Sequence, residues 1–204
     1  MAMLISVEVQ KSAHVEGLRI SPARLKLHRY AHLTVTGLPA SPLVHSRAAQ
    51  LITELALSPH PEGGHFREIH RSASVVDPRD GRPERAALTT IYFLLTSGEV
   101  SRWHRVASDE AWHFLEGDPL ELHEADSSFD RVVTRILGPC SDAAEPVYVI
   151  EAGRWQAARS TGEYTLVGCT VGPGFDFADF EMLRDRPSEV ESLEAGQPQW
   201  AEFI

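Results

Sequence analysis

The chain has 204 residues, 43% hydrophobic and 24% charged, which is ample for one packed core and short for two. Its formal net charge of -10, with no run of Lys and Arg to offset it, argues against a nucleic-acid partner, because phosphate binding needs a basic face. No apolar stretch approaches the ~18 residues of a membrane span, and the two cysteines, Cys140 and Cys169, are too few for a disulfide framework and lack metal-type spacing.

The N-terminal MAMLISVEVQK is apolar over too short a stretch for a signal peptide and carries Glu8, so a soluble cytoplasmic protein is expected. Residues 1–45 have weak periodicity and end in the linker-like Gly37-Leu38-Pro39-Ala40-Ser41-Pro42; they read as a poorly ordered N-terminal extension. Ser46 is a plausible helix N-cap, and Leu51, Ile52 and Leu55 recur at helical spacing. That short helix must stop before Ser58-Pro59-His60-Pro61, where prolines deny it a continuation. Glu62-Gly63-Gly64 then turns the chain into a strand over His65–Arg71, followed by a charged loop at 74–86.

Short strands are expected over Leu88–Leu95, Ser101–Val106, Ala111–Leu115, Pro119–Glu124, Arg131–Leu137, Pro146–Ile150, Arg154–Ala158 and Tyr164–Val171. Leu120 and Leu122 alternate with Glu121 and His123, as in a strand with one wet face. Thirteen prolines and fourteen glycines suit the many turns of an all-β sandwich or barrel over residues 46–183. The acidic, loosely patterned tail 184–204 is placed on the surface, with Trp200 and Phe203 as the residues able to dock. Cys169 lies in an apolar run and reads as a buried structural thiol.

The densest chemistry lies around His104. Alternation puts His104 and Val106 on one face of a strand, and Glu110, Trp112 and Phe114 on one face of the next. A hairpin therefore brings His104 and Glu110 together inside the barrel. Imidazole plus carboxylate suits Zn, Mn, Fe or Ni; it equally suits a proton-transfer pair, or a hydrogen-bonded pair that only satisfies a polar core. Upstream, His60, Glu62, Arg67, Glu68 and Arg71 crowd a stiff Pro/Gly segment. Strict alternation groups Arg67 with His65 and Arg71, opposite Phe66, Glu68 and His70. Facing inward, Arg67 would hold a carboxylate or phosphate; facing outward, it would make surface ion pairs. Tyr92 is either a pocket hydroxyl or a core residue, and Trp103, Trp112, Phe114, Trp155 and Phe175 are either an aromatic wall for a ring-shaped ligand or plain core.

The span Gly98-x5-His104-x-Val106-x3-Glu110-x6-Gly117 resembles the first signature of the cupin superfamily, with Val106 where a second His ligand usually stands. Glu151-Ala152-Gly153-Arg154-Trp155-Gln156 resembles the second, with Gln156 at the ligand position and Glu151 in place of Pro. The run of motifs is similar to the branch known as predicted sugar epimerases: Pro59-His60-Pro61-Glu62-Gly63-Gly64-His65-Phe66-Arg67-Glu68, Ile91-Tyr92-Phe93-Leu94-Leu95, Asp109-Glu110-Ala111-Trp112-His113-Phe114, and Leu166 through Phe175. It departs in having His65 where Tyr is usual. The resemblance covers roughly residues 47–183.

The resemblance implies a single-domain double-stranded β-helix, a jelly-roll barrel, forming a homodimer with a small-molecule pocket inside. It implies an epimerase-like isomerase acting on a small carbonyl or sugar-derived substrate. In that reading His104 is the base, Glu110 orients it, Tyr92 is the acid on the opposite face, and Arg67 holds an anionic group. His60, Glu62, Trp103, Trp112, Phe114, Trp155 and Phe175 would contact substrate. Two alternatives stand beside it. One is a metal-dependent oxygenase or lyase with a single divalent ion on His104, Glu110 and Gln156. The other is a non-catalytic small-molecule binding protein, with no cofactor.

Overall fold

Strand periodicity governs the chain from Ser58 onward, and the computed structural model describes residues 45–204. The arm expected over residues 1–45 falls, apart from His45, outside the described residues. Helix α1 (Ser46–Glu54) opens the fold, with His45 rather than Ser46 as its N-cap: the imidazole accepts from Arg47 N–H at 3.3 Å. The strands follow as β1 (Ser58–Pro59), β2 (His65–Arg71), β3 (Val75–Val76), β4 (Arg85–Ala86), β5 (Thr89–Thr96), β6 (Val100–Val106) and β7 (Asp109–Gly117). They continue as β8 (Leu120–Ala125), β9 (Val133–Leu137), β10 (Val147–Ile150), β11 (Trp155–Ser160), β12 (Tyr164–Gly172) and β13 (Phe180–Met182). The expected strands recur with ends shifted by one or two residues, as boundaries set by fraying ladders do. The charged loop carries the small ribbon β3–β4.

Two antiparallel sheets form, in the orders β1-β2-β5-β12-β7-β10 and β13-β6-β11-β8-β9. Phe93, Leu95, Trp112, Val167 and Cys169 of the first sheet pack on Leu120, Leu122, Leu137 and Ala158 of the second, as in a jelly roll. Burying each large apolar side chain in this layer contributes about 1.5–3 kcal/mol. The outer faces are covered too. On the six-stranded sheet, Ala48 and Leu51 of α1 join Leu57, Leu94, Tyr164 and Leu166. Arg47 secures the helix by a two-pronged bond to Glu116, at 2.7 and 3.0 Å.

The tail is built into the fold. Helix α2 (Pro187–Gly196) and a 3-10 turn over Pro198–Phe203 lie against the outer face of the five-stranded sheet. Leu193 and Phe203 are fully buried there with Trp103, Phe129 and Trp155, and Trp103 Nε1 donates to the Trp200 carbonyl at 3.0 Å. Its apolar residues, not its acidic composition, decide its place.

Bulges on β2 and β6 reset which residues face the cavity. On β2 the pairing steps from Glu68↔Ile91 to His70↔Thr90, two residues against one. This puts Arg71 on the same side as Phe66 and Glu68. On β6 the pairing steps from His104↔Gln156 to Ser101↔Ala158, three residues against two, and Ser101 joins the face of His104.

Candidate active site

The site starts from a turn that only glycine permits. Gly63 and Gly64 have φ of +114° and +66°, and a Cβ on Gly63 would lie 2.1 Å from the Val100 carbonyl oxygen. Close approach to β6 is sealed by Arg102 N–H donating to the Glu62 carbonyl at 2.9 Å. The turn thereby delivers the Glu62 side chain inward, onto the His104 face of β6.

Glu62 is the hub of a buried cluster. Its Oε1 accepts from the Ser101 hydroxyl at 2.8 Å. Its Oε2 lies 3.3 Å from His60 Nδ1 and 3.3 Å from His104 Nε2. His104 Nδ1 is 2.7 Å from the Arg102 carbonyl, which can only accept, so Nδ1 carries a hydrogen and Nε2 faces Glu62. Burial works to raise the Glu62 carboxyl, but His104, His60 and Ser101 outweigh it and hold it below the usual carboxylate range.

Glu110, on β7, goes the other way. Burial pushes its carboxyl above the usual range; His104 opposes this, the Glu62 charge adds to it, and the Gln156 hydrogen bond and His60 oppose it. Two carboxyls in one cavity, with proton affinities driven apart, are the arrangement that separates an acid from a base. Cys169 beside them is not a nucleophile: burial, then Glu110 and Glu62, push its thiol well up, so it stays protonated.

These groups line a cavity of about 230 Å³ reached by β2, β5, β6, β7, β12 and the segment after Gly174. Of the residues expected to contact a ligand or reacting atoms, His60, Glu62, His104, Glu110, Trp112 and Phe175 line it. Five others do not. Tyr92 alternates with the cavity-facing Ile91 and Phe93, so it points out beneath α1. Arg67 is likewise outside, its guanidinium 5.9 Å from the Tyr92 ring. Trp103 and Trp155 belong to the cluster under the C-terminal segment, and Phe114 packs against the central core. Phe66, Glu68, Arg71, Ile91, Phe177 and Phe180 line the cavity without having been expected there as ligand contacts. Counting alternate residues from Phe93 would have found Ile91; the β2 bulge hid Arg71.

The expected metal set of His104, Glu110 and Gln156 does not fit an ion. The Trp112 indole N–H, a donor only, bonds Gln156 Oε1 at 2.9 Å, which fixes the amide and turns its Nε2 to Glu110 Oε2 at 2.6 Å. Gln156 therefore presents its amino group, not its oxygen, to Glu110 and steadies that carboxyl. Among the described residues no group of three or more His, Cys, Asp or Glu is disposed to hold a metal ion.

The sequence matches the family model described as Cupin superfamily (DUF985) over residues 49–183. Among solved structures, a protein from Shewanella oneidensis is 34% identical, with 76% of this chain and 92% of that one covered and a TM-score of 0.65. A hypothetical protein from Leishmania major is 33% identical, with 77% and 96% covered and a TM-score of 0.66. No curated protein matches the chain. Among the described residues no helix is long and apolar enough to cross a membrane.

Proposed function

The chain belongs to the Cupin superfamily (DUF985) family, and from the acid–base cluster in its barrel we propose that it is an isomerase-like enzyme moving a proton on a small carbonyl compound. One observation carries the reading: Glu62 and Glu110 share a cavity with His104 while their environments push their proton affinities in opposite directions. The proton on the carbon beside the carbonyl passes to His104 Nε2, whose Nδ1 keeps its hydrogen on the Arg102 carbonyl, and the Glu62 carboxylate offsets the imidazolium charge that forms. The electron pair left behind moves onto the carbonyl oxygen, and the Glu110 carboxyl donates a hydrogen bond to it. Return of the proton to another carbon of the conjugated system completes an isomerisation without a co-reactant.

The sugar-epimerase reading implied by resemblance needs a second acid on the far face of the carbon. Tyr92 was expected to be that acid and lies behind β5, away from the cavity. Isomerisation on one face needs only the groups that are present. The test is deuterium uptake from D2O into small enolisable carbonyl compounds, followed by proton NMR. Uptake that the wild type catalyses and His104→Ala does not is expected. Equal uptake in both proteins would overturn the proposal.

A further inference from the structure

Size, wall and charge of the cavity together narrow the ligand, on the footing of the proton-transfer reading above. Its volume of about 230 Å³ exceeds the roughly 150 Å³ that accommodates benzene and falls short of the roughly 300–1,000 Å³ of pockets for drug-sized ligands. Six aromatic side chains, Phe66, Phe93, Trp112, Phe175, Phe177 and Phe180, contribute to the wall. Such a wall offers a ring extensive apolar contact.

Charge points the same way. Among the described residues Arg71 is the only Lys or Arg lining the cavity, and it is already engaged. Its Nε and Nη2 donate to Glu68 at 3.1 and 2.6 Å, and its Nη1 donates to the Phe175 carbonyl at 3.0 Å. The remaining acid–base groups of the wall are the acids Glu62, Glu110 and Asp176 and the imidazoles of His60 and His104, both already drawn to Glu62 at 3.3 Å. A phosphate or carboxylate entering this space would meet carboxyls and one occupied guanidinium.

We infer that the cavity takes an uncharged, ring-sized carbonyl compound, with its ring against Phe66, Phe175 and Phe177 and its oxygen toward Glu110, and rejects sugar phosphates and nucleotide-linked sugars. Glu68 acts as a specificity residue by neutralising Arg71. Phe175 and Phe177 follow the last long strand and line the cavity.

The experiment is ligand-observed NMR on the full chain with four probes: acetophenone, benzoate, benzylamine and uridine diphosphate glucose. Acetophenone should bind, and Ile91→Trp, which fills the cavity, should abolish its signal. Phe175→Ala serves beside it should Ile91→Trp fail to fold, and should weaken acetophenone about tenfold by removing one aromatic wall. Benzoate and uridine diphosphate glucose should not bind the wild type. Glu68→Gln, which frees Arg71, should bring benzoate into detectable binding, a gain of at least about tenfold over the wild type's limit. Tighter binding of uridine diphosphate glucose, benzylamine or benzoate than of acetophenone by the wild type would overturn the inference. Acetophenone binding without catalysed deuterium uptake would count against the proton-transfer reading and leave the ligand class standing.

Discussion

Two histidines are buried on opposite faces of the same five-stranded sheet, and they differ in what was buried with them. His104 faces the cavity with Glu62, His60 and Glu110 around it, so its second nitrogen meets a carboxylate. His123 faces outward under the C-terminal segment, between the rings of Trp200 and Phe203 at 4.3 and 4.9 Å. Its Nδ1 meets the Thr134 hydroxyl at 2.9 Å, its Nε2 has no hydrogen bond, and Glu121 is 3.9 Å away. Burial pushes His123 down to about 4, with Glu121 opposing this and Arg159 adding to it. A buried histidine among paired carboxyls is equipped to move a proton; one among aromatic rings is neutral packing.

The comparison breaks most sharply on Glu62. Glu62→Gln should lower catalysed deuterium uptake by about 10²–10⁴, the usual contribution of a positioned base, with the circular dichroism spectrum retained. On the other side of the sheet, Phe203→Ala should cost about 3–5 kcal/mol in urea unfolding, because a large fully buried ring is lost beside His123. Ligand binding in the cavity should survive it. Equal damage to both sites from either substitution would dissolve the distinction between them.

Smaller effects follow from pH. His123 has a folded value below its ordinary 6.5, so its contribution to stability is full above 6.5 and is lost as pH falls toward about 4. The span between those values corresponds to about 3 kcal/mol, which His123→Gln should remove from the acid limb of the stability curve. Glu110 has the opposite sign: its raised folded value makes its contribution full below the ordinary carboxylate value and lost as pH rises through the folded one. Glu110→Gln should therefore raise the melting temperature at neutral pH relative to the wild type, with the gain shrinking toward pH 4. A melting temperature that falls at neutral pH would contradict the buried-acid account.

The strands were legible because their apolar alternation is short-ranged, and His60, Glu62, His104 and Glu110 were legible as chemistry-bearing residues. The meeting of Glu62 with His104 was not, because it depends on a glycine turn pressed against a strand some forty residues later. Parity counting failed where bulges intervene: it grouped Arg71 with the outward Arg67, and nothing local marks Ile69 as the extra residue of β2. The role of Gln156 was hidden for another reason. Its amide is oriented by Trp112, a neighbour only once β7 and β11 face each other across the core. The aromatic residues were the least legible, since a wall of a cavity and a wall of a core have the same composition.

The two buried glutamates stand on opposite sides of the ordinary carboxylate value. Titration of the side-chain carboxyl carbons by NMR, with Glu62→Gln and Glu110→Gln assigning the two signals, tests it directly. Glu110 should titrate above the ordinary range and Glu62 below it. Coincident titration of the two within that range, or the reverse order, would contradict it.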